Sequence, residues 1–303
     1  MSSSGSRTVV LAALGANLAI AAAKGVAFAF TGSSAMLTEA IHSVVDTGNQ
    51  GLLLLGMRRA KKPPNARHPF GYGLEAYFWA FVVALLIFAL GGAVAIYEGF
   101  EKLHNPRPLE RVWINYLVLG VAIVMESVSC AVAWREFGRI REGRSFIKAL
   151  RRSKDPNVFA VLIEDLAALA GLVIALIGVV ATSAFGWLQA DGLASIAIGV
   201  LLVSVAVFLA NQTRGLLSGT AASDETIKRI EQVLEDDPRV TLVCAIDSMH
   251  LGPDEILLGL TLTFRDDLTA AGLGDASEDL TLSLRKADPR ITRVFLRSAR
   301  NRD

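Results

Sequence analysis

The stretch Leu37-Thr38-Glu39-Ala40-Ile41-His42-Ser43-Val44-Val45-Asp46 decides how this chain is read. It lies within a largely apolar run from Ser34 to Met57, yet it holds three ionisable side chains, Glu39, His42 and Asp46. An ionisable group at the centre of a bilayer-spanning helix costs roughly 2.5–3.5 kcal/mol on insertion scales, so a cluster of them calls for a functional explanation. At about 100° per residue the three fall within roughly 60° of one another and can face one crevice. Asn49 and Gln50 continue the polar stripe.

Composition supports a membrane setting. The 303 residues are 52% hydrophobic, with mean hydropathy +0.46 and net charge +1, as in a membrane protein with a soluble appendage. Scattered, balanced charge argues against nucleic acid as a partner, which would need a basic surface. Two cysteines, Cys130 and Cys244, are too few and too far apart for a disulfide framework or a thiolate zinc site. The N-terminal Met1-Ser2-Ser3-Ser4-Gly5-Ser6-Arg7 runs straight into apolar sequence without a cleavage site or the Arg-rich amphipathic character of a transit peptide, so the first apolar stretch is expected to be retained.

Six segments are long enough to cross a hydrocarbon core, which takes roughly 20 apolar residues. They are Thr8–Phe30, Ser34–Met57, Tyr77–Ile96, Val112–Trp134, Val158–Ala181 and Gly192–Leu209. The connections after the second and fourth carry Arg58, Arg59, Lys61, Lys62, Arg67 and a basic run from Arg135 to Lys154, whereas the others carry only Lys102, Arg107 and Arg111. The positive-inside rule therefore places both termini in the cytoplasm. The expected setting is a bacterial inner (plasma) membrane.

Beyond Gly219 the pattern becomes that of a soluble domain. Ser223–Asp237 predicts a helix, with Ser223 or Asp224 as N-cap and Pro238 as the stop. Val240–Met249 and Glu255–Phe264 alternate as strands around a turn at His250–Asp254. A helix near Ala276–Lys286 and a strand at Ile291–Ser298 complete an α-β-β-α-β order. The expected architecture is an α-helical membrane domain of six transmembrane helices over residues 1–216, followed by a small cytoplasmic α+β domain over residues 217–303.

Further ionisable residues sit inside other spans: Glu164 and Asp165 on the fifth, Glu126 on the fourth, and Lys24, on one face with Asn17, on the first. Glu164 and Asp165 diverge by about a third of a turn, so one of them, taken as Asp165, faces His42 squarely. One imidazole with carboxylates from two helices suits a divalent first-row metal such as Zn2+, Mn2+ or Fe2+, whereas Cu+ would recruit thiolate or thioether. The candidate metal ligands are His42, Asp46, Asp165 and Glu164. Such ligands lose protons to bind metal and regain them on release, which suits proton coupling. Glu39, Asn49 and Glu126 are candidates for a proton relay or for supporting the ligands, and Asn17 and Lys24 for packing or counter-charge. A membrane metalloenzyme is disfavoured because no separate general-base motif accompanies the ligands. No resident cofactor is expected beyond the metal itself.

These features together resemble the cation diffusion facilitators over essentially the full chain. Ser34–Gly51, His68-Pro69-Phe70-Gly71-Tyr72-Gly73 and Val161–Leu169 resemble more narrowly the branch that includes the mitochondrial zinc exporter of animals. The resemblance implies a ferredoxin-like cytoplasmic domain and a homodimer in the lipid bilayer. It also implies export of Zn2+ in exchange for H+ by alternating access, with the metal held between the second and fifth spans.

Departures from the family pattern carry their own implications. Zinc-selective members commonly place a His four residues before the fifth-span Asp, and here that position is Val161. The site is harder in consequence, which keeps a preference for Mn2+, Fe2+ or Co2+ open, as well as metal binding without transport. Where some bacterial relatives bind a second zinc, this chain offers Asn65, His68 and Tyr72, and His68 is read as structuring a turn marked by Pro69, Gly71 and Gly73. His250 is the sole histidine of the C-terminal domain, too few for the family's regulatory two-metal site.

Overall fold

Apolar length builds the first two-thirds of the chain into helices in the computed structural model, which describes residues 3–31, 34–106, 112–141 and 155–299. Among the described residues these are α1 (Ser3–Thr31), α2 (Ser34–Ala60), α3 (Glu75–His104), α4 (Val112–Arg141), α5 (Pro156–Phe185) and α6 (Ala190–Leu217). Of the six expected spans, four meet the length and apolarity of a bilayer crossing: α3, Val112–Gly138 of α4, α5 and α6. The apolar part of α1, Arg7–Ala23, is shorter. In α2, Asp46, Asn49, Gln50, Arg58 and Arg59 dilute the apolar surface.

Local chemistry sets the ends of α5. Asp155 caps its start by accepting a hydrogen bond from the Asn157 N–H, Pro156 supplies a preset φ in the first turn, and Gly186 closes it at φ +68°. The helix α3 is interrupted by a π-helical segment, Ile87–Ala93, a local widening often found where helices border functional sites. Beside it α3 and α6 approach backbone to backbone. A Cβ added at Gly99 would stand 2.8 Å from the Gly192 carbonyl oxygen, and one added at Gly199 would stand 2.8 Å from the Gly92 carbonyl oxygen. Small residues at such a crossing allow dispersion contacts that larger ones forbid. At one end Lys102 pairs with Asp191 at 2.9 Å.

Chain packing defines two units: residues 1–59 with 76–214, and residues 60–75 with 215–303. The second contains helices α7 (Asp224–Glu235) and α8 (Ala270–Ala287) and strands β1 (Val240–Gly252), β2 (Glu255–Phe264) and β3 (Ile291–Ser298). The sheet order is β1-β2-β3, with β1 antiparallel and β3 parallel to β2. Alternation along β2 turns Ile256, Leu258, Leu260 and Leu262 towards Ile230 and Leu234 of α7 and Ala276, Leu280 and Leu284 of α8, forming the core. Ser223 and Thr269 cap the two helices, accepting from Thr226 N–H and Gly272 N–H.

Two boundaries differ from expectation. Strand β1 runs on through Gly252, so His250 pairs with Ile256 within the sheet and the turn shrinks to Pro253-Asp254. Helix α8 starts at Ala270, six residues early, because the Thr269 cap outweighs the helix-weakening Gly272 and Gly274.

Two predictions follow from this packing. Gly99→Ala, forced against the α6 backbone, is expected to cost about 1–3 kcal/mol and lower the melting temperature of the detergent-solubilised chain. Near the end of α8, Asp288 is buried and accepts from Thr226, Arg229 and Arg290. Burial opposes its ionisation, but the side-chain and backbone hydrogen bonds from Arg290, with the charges of Arg290 and Arg229, prevail and lower its pKa from 3.8 to about 2. Because the folded-state pKa is the lower one, this stabilisation is complete above about pH 4 and lost as pH falls towards 2. Asp288→Asn should therefore flatten the acid limb of the unfolding profile followed by the β-sheet circular dichroism signal.

Candidate metal site

Where the polar stripe of α2 meets α5, Glu164 forms the junction. The Asn49 Nδ2 amide donates to its Oε1 at 3.1 Å and the Gln50 Nε2 amide donates to its Oε2 at 3.2 Å. Consecutive helical residues diverge by about 100°, so two adjacent amides converge on one carboxylate only when it lies between their directions. Gln50 in turn accepts from Asn17 Nδ2 of α1 at 3.2 Å. Asn17, Asn49 and Gln50 are all buried, so the chain of amides runs through protein rather than water.

Asp165, one residue on, turns to a different neighbour. Buried at 3% exposure, it accepts from the Ser129 hydroxyl of α4 at 2.8 Å. Glu164 and Asp165 thus tie α5 to α2 and α4 respectively. Between them lies a cavity of about 180 Å³ lined by Asp46, Asn49, Glu126, Glu164, Asp165 and Asn17, with apolar walls from Ile87 and Gly91 of α3, Ala122 of α4, Ala168 of α5 and Ile198 and Leu202 of α6.

The structure therefore brings together Asp46, Glu164, Asp165, Glu126 and Asn49 of the residues expected from sequence. The side chains of His42, Glu39 and Lys24 lie outside the described residues, as do residues 142–154 of the basic connection. Among the described residues no three His, Cys, Asp or Glu side chains are close enough together to hold a metal ion. Val161, where a histidine would be needed for an additional imidazole ligand, is fully buried.

Sequence reasoning missed Ser129, which lies one turn beyond Glu126 on the same face of α4, a weak signal for a small hydroxyl residue. Asn17, expected to pack, bonds Gln50 and also lines the cavity. Elsewhere, His68 exchanges backbone hydrogen bonds with Asn65 and stacks on Tyr72 at 4.2 Å, and His250 lies buried with Nδ1 3.3 Å from the Gly252 carbonyl oxygen. Cys130 and Cys244 are both free thiols.

Residues 10–218 match the family described as the cation efflux transmembrane domain. The chain belongs to the cation efflux family. Its members are the cation diffusion facilitators, and this member is an integral membrane protein. It is 35% identical over 231 residues to the human mitochondrial proton-coupled zinc antiporter SLC30A9, a match covering 76% of this chain and 41% of the human protein. It is 31% identical over 265 residues to metal tolerance protein C4 of Arabidopsis thaliana, covering 87% of this chain and 58% of that protein. Over 230 residues it is 25% identical to zinc transporter ZitB of Escherichia coli K12, covering 75% of this chain and 68% of ZitB. The chain thus spans about half the length of the first two relatives.

In this cation efflux protein the amide grip on Glu164 has a structural consequence. Glu164→Leu leaves two buried N–H donors without acceptors, at about 1–3 kcal/mol each, whereas Glu164→Gln retains one acceptor oxygen. Thermal unfolding in detergent should rank the parent above Glu164→Gln and Glu164→Gln above Glu164→Leu.

Proposed function

We propose that this protein exports Zn2+ from the cytoplasm in exchange for H+, by alternating access of the cavity between α2 and α5. The observation that carries the reading is the cavity itself: Asp46 of α2, Glu164 and Asp165 of α5 and Glu126 of α4 face one small space inside a bundle of otherwise apolar helices. Desolvated carboxylates repel one another, and a divalent cation or protons relieve that repulsion. Exchange of one for the other is antiport.

His42, Asp46 and Asp165 hold the cation, with Glu164 beside them, and Glu39 and Glu126 hold protons or support the ligands. All six helices cross the membrane with both termini in the cytoplasm. Asp46 and Asn49 of the polar stripe line the cavity, which fits a span whose polarity is turned inwards. The cation enters while the site opens to the cytoplasm, rocking of one helix group against another exposes it to the far side, and protons displace it. The protein works as a homodimer in the lipid bilayer, in a bacterial inner (plasma) membrane. The names of the human and E. coli relatives support zinc as cargo, and that of the human relative supports proton coupling.

The buried Val161 favours a second reading of the cargo, because a site with a single imidazole and several oxygens also suits Mn2+, Fe2+ or Co2+. Uptake into proteoliposomes bearing a pH gradient tests both. Zn2+ uptake that collapses with the gradient, and that falls at least about a hundredfold in Asp46→Ala and Asp165→Ala, is the expected result. Preference for Mn2+, Fe2+ or Co2+ over Zn2+ would move the cargo to the second reading. Saturable binding without flux of any of the four would make the protein a metal-binding membrane protein rather than a carrier.

A further inference from the structure

Two neighbouring amides, Asn49 and Gln50, donate to the same carboxylate, yet their oxygens are treated differently. The Gln50 Oε1 accepts from Asn17 at 3.2 Å. The Asn49 Oδ1 is buried and has no hydrogen-bond partner, although Asn49 is only 2% exposed. In this orientation Nδ2 serves Glu164 and Oδ1 is left over, and a buried acceptor without a donor is costly unless something else satisfies it.

The surroundings identify what that is. Asn49 lines the cavity together with Asp46, one turn before it on α2, and with Glu126, Glu164 and Asp165. A space bounded by four carboxylates favours positive charge, and Asn49 stands about one turn beyond Asp46 on the same face of α2. Asn157 Oδ1 is likewise buried and unpaired, but Asn157 does not line the cavity.

We infer that Asn49 is a cation-binding residue, with Oδ1 contributing a neutral oxygen donor to the divalent metal while Nδ2 holds Glu164. The inference rests on the reading that this cavity carries the transported cation. An amide oxygen adds a ligand without adding charge, so it strengthens the grip on a hard or borderline divalent ion without deepening the repulsion among the carboxylates once the ion has left. Gln50 has no such part, since both ends of its amide are engaged within the protein. It is a positioning residue for Glu164.

The two amides serve as each other's control. Both give one N–H to Glu164, so loss of either removes one donor from that carboxylate, and sulfur coordination to the metal is expected from position 49 alone. Purified Asn49→Cys and Gln50→Cys chains would be titrated with Co2+ alone, with the parent chain and its native Cys130 and Cys244 as baseline. A sulfur-to-cobalt charge-transfer band appearing in Asn49→Cys and absent from Gln50→Cys is the expected result. Co2+ bound by Asn49→Cys with parental stoichiometry but without that band overturns the inference. Should Asn49→Cys fail to accumulate, Asn49→Asp and Asn49→Ala replace it: Asn49→Ala is expected to weaken Co2+ binding about tenfold and Asn49→Asp to preserve it, whereas equal affinities overturn the inference. Co2+ binding that is untouched by Asp46→Ala and Asp165→Ala would instead overturn the transport reading itself.

Discussion

A carboxylate buried among apolar helices must find partners, and in this protein Glu164 finds them on α2. Within a low-dielectric bundle an unpaired carboxylate costs several kcal/mol, so its partners constrain which helices can be neighbours. Asn49 and Gln50 meet that demand, and Gln50 passes the constraint on to Asn17 of α1. Three helices are thereby held in register by neutral amides. A lysine or arginine beside Glu164 would supply a fixed counter-charge, whereas an amide orients the carboxyl group without supplying one.

Much of this was legible in the sequence, for a physical reason. Ionisable residues in apolar runs are expensive, so each one that survives marks a place where the protein compensates, and Asp46, Glu126, Glu164 and Asp165 all line the cavity. Amides and hydroxyls are cheaper in a membrane helix and correspondingly quieter as signals. Ser129, which holds Asp165, looked like any other small residue of α4, and Asn17 looked like packing. The same limit operated in the C-terminal unit. Its α-β-β-α-β order was readable from hydrophobic periodicity, but the start of α8 was hidden because two glycines spoke against a helix more loudly than one threonine cap spoke for it. Likewise the proline and aspartate after Gly252 drew the turn too wide and placed His250 outside a strand it belongs to.

One organisational feature was not readable at all from local pattern. Residues 60–75, which follow α2 directly, pack with the C-terminal unit rather than with the helices on either side of them. Arg293 of β3 donates to the Pro69 carbonyl oxygen at 2.8 Å, Phe70 meets Phe295 edge-on at 6.4 Å, and Gly73 lies so close to Leu251 and Gly252 that no side chain fits there. Contacts between residues so far apart in the sequence leave no periodic trace. The glycine at 73 and the aromatic at 70 are nevertheless what such a contact demands: one removes bulk, the other supplies an apolar face on which the Arg293 guanidinium lies 5.4 Å from the ring centre.

Adjacent carboxylates on one helix would serve poorly if both answered to the same neighbour, because their charges would then compete for one set of donors. On α5 the roughly 100° step between residues prevents this. Glu164 is directed to the amides of α2 and Asp165 to the hydroxyl of α4, so α5 acts as the common element between two otherwise separate hydrogen-bond systems. Any displacement of α2 relative to α4 must either carry α5 with one of them or break one of these buried systems, and breaking leaves donors and a carboxylate uncompensated in apolar surroundings. In the arrangement seen, both carboxylates have hydrogen-bond partners on neighbouring helices, so the position of α5 is tied to α2 through one residue and to α4 through the next.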